Sequence, residues 1–369
     1  MNTYFNGLEL RLLRQFNHLS LEDLSIHVGK SRQFLHKIEM NQVVPTPDLI
    51  DVLSNFFNVK TDIFYSSHPI LQEEQINFRS NKTAKIFTKQ SVIAQGEYLK
   101  RLVEFIEANL RLPKYSIPSV ESVKNFQDIE NAALQFRKYF NLGLGPISDM
   151  TQLTEMLGIF VTTFPSVSSE VDALSIASKR PIFVNNEISS TCRQRFNLAH
   201  ELGHLVLHDG CVTGDTLTES QAHRFASALL IPQEMMISHF RNCFNGRFNW
   251  NKLSEMKTNW KISKAALLYR AKSLDLLNET SYRSGFIHLK RTGEAILESE
   301  DHEIPKEVPT LLNTCFKALS KKGISAIDIA NELNISLDLL NKITQLDLQP
   351  QNPSKLKLVI SFNLSAHTD

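Results

Sequence analysis

Apolar positions in the first 65 residues recur at helical spacing and break at short polar turns. Leu8, Leu10, Leu12, Leu13 and Phe16 supply one apolar face. Ser20-Leu21-Glu22-Asp23 opens a second helix, with Ser20 as N-cap and Asp23 three residues on, and this helix ends near Val28-Gly29. Ser31 caps a third helix running from Arg32 to Glu39, with Leu35 and Ile38 inward and Arg32, Gln33 and His36 outward. A charged connector follows, from about 66 to 120. It contains Asn77-Phe78-Arg79-Ser80 and a helix through Tyr98 to Ile106, whose i, i+3, i+4 apolar spacing predicts that it packs on something. Pro113 and Pro118 mark the connector's end. Further helices are expected around 193–208, at 216–231 with Pro232 setting the end, at 263–274 and at 324–343, while 356–364 alternates enough to be a strand.

Composition narrows the class. The chain has 369 residues, long for one domain, which predicts two or three, each able to bury a core. Lysine plus arginine (40) nearly balance aspartate plus glutamate (39), so overall charge does not select a polyanionic partner, and any nucleic-acid contact must come from local patterning. Cys192, Cys211, Cys243 and Cys315 are scattered, with no Cys-x-x-Cys. With no signal-peptide pattern and no apolar run near 18 residues, free thiols in a reducing cytoplasm and no membrane span are expected.

Candidate chemistry concentrates in one stretch, Arg195-Phe196-Asn197-Leu198-Ala199-His200-Glu201-Leu202-Gly203-His204. Four helical residues advance about 400° and about 6 Å, so His200 and His204 stack on one face and can point two imidazoles at one ion. Glu201 sits beside that face, where it can take a proton from water that a zinc ion has acidified. An accidental His-Glu-x-x-His would be a polar stripe on a surface helix. Here Phe196, Leu198, Ala199, Leu202, Leu205, Val206 and Leu207 wrap most of the helix in apolar residues, and buried polar groups need partners.

A catalytic zinc takes three protein ligands and a water. His208 lies about 12 Å along the axis and about 80° around from His200, so it cannot share an ion with it while the helix continues. A polar, hydrogen-bonding role near the helix C-terminus is expected for it. Glu219, on the next helix, can reach the metal, with Ala222, Ala226 and Ala228 allowing close approach. Thr216-x-x-Glu219 also reads as a capping box, which would spend Glu219 on a backbone N–H. His223 is either a partner that orients a ligand or a polar helix residue. Tyr269 is either an oxyanion stabiliser or core filler.

These residues, with Glu219-x-x-Ala222-x-x-Phe225-Ala226 and the Leu-Leu-Ile-Pro ending at Pro232, resemble the ImmA/IrrE group of zinc metallopeptidases. The resemblance implies a zincin-like domain with a small sheet, zinc (Zn2+) on His200, His204 and Glu219 in gluzincin fashion, and Glu201 as general base. Family members often carry Asn or Asp where His223 stands. Residues 180–185 and 171–175 resemble the family's edge strand, to which an extended substrate could add. The helix at 263–274 looks like the one that closes the family's domain.

The N-terminal pattern follows the helix-turn-helix plan, whose second helix enters the major groove. Lys30, Ser31, Arg32, Gln33, His36 and Lys37 are the candidate DNA contacts, Arg and Gln suiting guanine and adenine edges. Residues 1–65 carry six Lys/Arg against seven Asp/Glu, so non-specific affinity should be weak and a protein-binding bundle is the alternative. The segment resembles the Cro/repressor-like XRE family across its length, departing at Leu21, where many members have glutamine. Lys82, Lys85 and Lys89 could assist at phosphates, although solvated surface is the plainer role. Residues 324–343 align without gaps on 19–38, Ser325 on Ser20, Asp328 on Asp23, Ser336 on Ser31. Asp338 and Asn341 stand where the first unit has Gln33 and His36, so packing, dimerisation or partner binding is favoured there.

The sequence therefore predicts a predominantly helical α+β protein. Its parts are a helix-turn-helix bundle (1–65), a helical connector (66–120), a metallopeptidase domain (121–285) and a C-terminal helical module (286–369). The expected function is a stress-triggered regulator that binds operator DNA and cleaves a specific protein, a repressor, an antitoxin-like partner or itself, with a possible homodimer. The rivals are a non-enzymatic regulator that uses the peptidase-like fold as a sensor, and an antitoxin or phage-defence regulator with a structural metal.

Overall fold

Local signals place most helix boundaries in the computed structural model, which describes residues 4–66, 76–80, 86–120, 123–164, 171–176, 178–208, 211 and 214–349. Lys82, Lys85 and the strand expected at 356–364 lie outside the described residues. α1 (Gly7–Phe16) is followed by α2 (Leu21–Val28), α3 (Arg32–Glu39) and α4 (Pro47–Phe57). Ser20 and Asp23 form a reciprocal capping box at the start of α2, Gly29 ends it in the left-handed region at φ 62°, and Ser31 caps α3.

β1 (Ile76–Ser80) and α5 (Ile86–Asn109) come from the connector. Next are α6 (Phe126–Tyr139), α7 (Met150–Met156), β2 (Phe160–Phe164), β3 (Val171–Ile176) and β4 (Ile182–Asn186). The long helices α8 (Thr191–Leu207) and α9 (Thr216–Leu230) lead to α10 (Gln233–Cys243), α11 (Trp250–Trp260), α12 (Lys264–Ser273) and α13 (Glu279–Arg291). The described chain closes with α14 (Leu311–Lys321), α15 (Ala326–Glu332) and α16 (Leu337–Thr344).

The four strands lie in the order β1-β3-β4-β2, with β2 and β4 parallel and the other pairs antiparallel. This corrects the edge-strand expectation for 180–185 and 171–175. β4 has neighbours on both sides, and β3 is covered by β1, Phe78 opposite Leu174, so neither offers a free edge.

The sheet is a wall between two cores, as the two-residue period of a strand requires. Phe160, Leu174, Ile176, Ile182 and Val184 face a core built with α1–α5 and α14–α16, while Val161 and Phe183 face the core of α6–α13. α5 packs on α1, and a buried Arg101 joins them by two hydrogen bonds to Glu9, at 2.7 and 3.0 Å.

The terminal helices repeat one another. Ser325 and Asp328 form the same capping box on α15, Asn334 takes Gly29's left-handed place at φ 57°, and Ser336 caps α16. The two units meet through a bridge between Val59 and Ile335, with the Lys60 N–H donating to the Asn334 carbonyl at 3.1 Å.

Candidate metal centre

α8 starts at Ser190, whose side chain accepts from the Arg193 N–H. Arg195 then anchors it: its guanidinium pairs with Glu307 and donates to the Ile147 carbonyl at 2.8 Å. Glu307 also accepts from the first N–H groups of α7, Met150 at 2.9 Å and Thr151 at 3.0 Å. α9 is fixed at its far end by the buried Arg137, which donates to the Leu229 carbonyl at 2.7 Å. Between these anchors the helices touch at small residues. A Cβ on Gly203 would stand 3.1 Å from the Ala222 carbonyl oxygen, and Ala222 and Ala226 are fully buried.

That approach brings three potential ligand side chains together. His200 Nε2 and His204 Nε2 are 3.1 Å apart, and the Glu219 carboxylate spans both, with Oε2 3.3 Å from His200 and Oε1 3.2 Å from His204. Asp215, not Thr216, caps α9, accepting from Leu217 and Thr218, so Glu219 is not spent on the helix end. The imidazoles against it, His200 first and then His204, hold its carboxyl far below the usual carboxylate range. A tetrahedral zinc with bonds near 2.0–2.1 Å separates its donor atoms by about 3.3 Å, a spacing that each of these contacts approaches, and two imidazoles with one carboxylate suit that ion. Glu201, on the same helix, is buried beside the pair.

His223 lies one turn beyond Glu219, its ring 4.7 Å from that of His200 and 5.5 Å from that of Phe196. Its ligating nitrogen falls within 4.8 Å of donor atoms of His200 and Glu219, forming a second triad that shares both residues. His204 Nε2, 3.1 Å from His200 and 3.2 Å from Glu219, lies at the spacing of ligands on a single ion. His223 also lines a cavity of about 550 Å³ with Phe196, Ala266, Tyr269, Phe286 and Ile296. Tyr269 is 55 % exposed on this cavity, which excludes the core-filler role.

One wall of the cavity was illegible in sequence. Residues 294–301 are strapped to the domain by two buried lysines, Lys257 to Glu298 (2.8 Å) and Asp301 (2.7 Å), and Lys264 to Glu294 (2.7 Å) and Glu300 (3.0 Å). Glu298 also accepts from the first N–H groups of α12. Buried charges demand partners, so Lys257 and Lys264 were the available signal.

The candidate DNA contacts gather on another face. Lys30, Ser31, Arg32, Gln33, His36 and Lys37 are all exposed, along α3 and the turn before it, while Leu35 and Ile38 are buried. Arg14 is not on that surface, being buried against Glu39 at 2.6 Å. Lys89 lies in the first turn of α5, far along the chain from this set.

These elements define a mostly helical α+β protein carrying a His-Glu-x-x-His helix closed by a glutamate from its neighbour. Residues 154–272 match the family model of the IrrE N-terminal-like domain, Peptidase_M78, which supports the ImmA/IrrE-type metallopeptidase part of the sequence reading. No curated protein matches this chain. Among the described residues, no helix is long and apolar enough to cross a membrane.

Proposed function

We propose that this chain is a zinc-dependent endopeptidase coupled to a DNA-binding head. The observation that carries the peptidase reading is the convergence of His200, His204 and Glu219 beside a buried Glu201, inside a segment similar to an IrrE-type domain. A zinc ion held there would polarise a peptide carbonyl and acidify water. Glu201 would accept the proton and return it to the leaving amine, and the adjoining cavity would seat a substrate side chain with Tyr269 and His223 at its wall. The substrate is a specific protein, a repressor, an antitoxin-like partner or the chain itself.

The exposed row from Lys30 to Lys37, on a helix with a glycine turn before it, supports reading operator DNA through α3. α3's equivalent in the C-terminal unit carries Leu337, Asp338 and Asn341, which suits packing rather than phosphate contact. Holding both activities in one chain favours cleavage at or near the operator.

Glu201→Gln is the test. Cells making the wild type should show new protein N-termini that cells making Glu201→Gln lack, while zinc content and DNA affinity stay equal. New N-termini that persist with Glu201→Gln would remove the enzyme reading. The rival, a closed structural or sensing metal, draws on His223 as a fourth ligand. It predicts that His223→Ala loses zinc as badly as Glu219→Ala, whereas an open catalytic site keeps its metal.

A further inference from the structure

We propose that His208 and Gln221 are positioning residues which fix the tautomer of His204, so that its Nε2 lone pair faces the metal. The inference rests on the zinc reading of the site. A neutral imidazole has one N–H and one acceptor nitrogen, and which is which depends on its neighbours. His204 Nδ1 lies 3.1 Å from His208 Nδ1, and His208 Nε2 lies 2.8 Å from Gln221 Oε1. The amide oxygen of Gln221 can only accept, so His208 carries its hydrogen on Nε2. Its Nδ1 is then an acceptor, which places the His204 hydrogen on Nδ1. The remaining nitrogen, His204 Nε2, is thereby left with its lone pair toward Glu219 and His200. Every donor in the chain meets an acceptor, and reversing one hydrogen breaks all of it.

The i, i+4 spacing puts the third histidine within reach of the second. α8 stops at Leu207, and His208 leaves the helical path as its C-cap, at φ −127° and ψ 27°. Its ring stands 5.2 Å from the His204 ring, one turn earlier. Both histidines are buried, so a lost partner is costly to replace. α9 holds the arrangement from both ends, with Glu219 on the metal side of His204 and Gln221, two residues later, on the far side of His208. One helix thus supplies a ligand and also sets the proton order of another ligand. Hydrogen-bond partners of this kind are worth about 10–100-fold in metal affinity.

The test uses the full chain with 15N-labelled histidine, read by long-range proton–nitrogen correlation and by zinc competition against a chelator. In the wild type, His208 should be protonated on Nε2 alone and His204 on Nδ1 alone. Gln221→Leu, close in size but without an acceptor, should mix the His208 tautomers and weaken zinc about 10–100-fold. Gln221→Glu, which keeps an acceptor, should keep the wild-type pattern and bind zinc at least as tightly. His208 protonated on Nδ1 in the wild type, or a Gln221→Leu variant with unchanged tautomers and unchanged zinc affinity, overturns the proposal. A wild type that takes up no zinc overturns the metal reading instead, and the nitrogen spectrum still decides the hydrogen-bond order.

Discussion

The helix pairs α8–α9 and α2–α3 put their chemistry on opposite sides of the backbone. In α8–α9 the polar residues point inward. His200, His204, His208 and Glu201 are all buried, and each has to find a partner on the facing helix or on its own. In α2–α3 the polar residues point outward, and only Leu24, Val28, Leu35, Ile38 and Glu39 are spent on the core. The difference decides how strongly geometry constrains function. A buried constellation is over-determined, because every group that lacks a partner costs stability. An exposed row from Lys30 to Lys37 costs nothing when unused, so its role depends on the charges it offers a ligand.

The largest expected effect breaks the inward pair. Glu219→Ala removes the carboxylate that lies 3.2–3.3 Å from both imidazoles and should strip the chain of most of its zinc at stoichiometric metal, measured by elemental analysis of purified protein. DNA affinity should not change. Zinc retained in that variant would move the third ligand elsewhere, with His223 first in line. The matching lesion in the outward pair is Arg32→Ala. It should cost about 1–3 kcal/mol of operator binding if Arg32 reads a base. If it contacts a phosphate it should instead flatten the slope of log affinity against log salt by about 0.9. Asp338→Ala, at the C-terminal unit's counterpart of Gln33, should leave DNA binding unchanged in the same titration.

The inward site was legible where its signals are local. His200, Glu201 and His204 share one turn of helix, and the run Ala222, Ala226, Ala228 announces a close helix contact around Glu219. For His208 the sequence predicts a hydrogen-bonding role near the helix C-terminus but not its partners, because Gln221 is supplied by the next helix. The sheet was misjudged for a different reason. β1 is five residues from the connector, and its partner β3 lies about a hundred residues downstream, a pairing that no local pattern encodes. In the outward pair the caps and turn were all visible, Ser20, Gly29 and Ser31, as was the repeat of the caps at Ser325 and Ser336. What sequence left open there is the ligand, because exposure alone does not select one.

Two glycines at helix–helix contacts, one in each helical body, give a graded comparison of packing. A Cβ on Gly7 would fall 1.9 Å from the Ile38 carbonyl oxygen, so Gly7→Ala must drive α1 away from α3. On Gly203 the nearest atoms are 3.1 Å away, and α9 has to yield by only a few tenths of an ångström. Overpacking costs about 1–3 kcal/mol. Gly7→Ala should reach or pass the top of that range in denaturant unfolding, and Gly203→Ala should stay near the bottom, partly offset by alanine's better helix propensity. Because Glu219 rides on α9, Gly203→Ala should also weaken zinc several-fold. Equal losses in the two variants would mean that the closeness of approach does not govern the cost.

The smallest effect tests whether the two terminal units are as alike energetically as they are in outline. Ser20 accepts from the Asp23 N–H at 3.1 Å and Ser325 from the Asp328 N–H at 3.2 Å, and both aspartates return a 2.8 Å bond to the serine N–H. Ser20→Ala and Ser325→Ala should each cost about 1 kcal/mol. Both aspartate pKa values are lowered, first by the hydrogen bond to the serine side chain and then by the one to its backbone. A lowered folded-state pKa means that the capping contribution is complete above the unfolded value near pH 4 and is lost as pH falls through the folded one. The two serine variants should therefore lose their deficit relative to wild type together as unfolding is followed from pH 6 to pH 2. A deficit that fades for Ser20→Ala but persists for Ser325→Ala would show that the C-terminal helix relies on its packing against Val59 and Lys60 more than on its own cap.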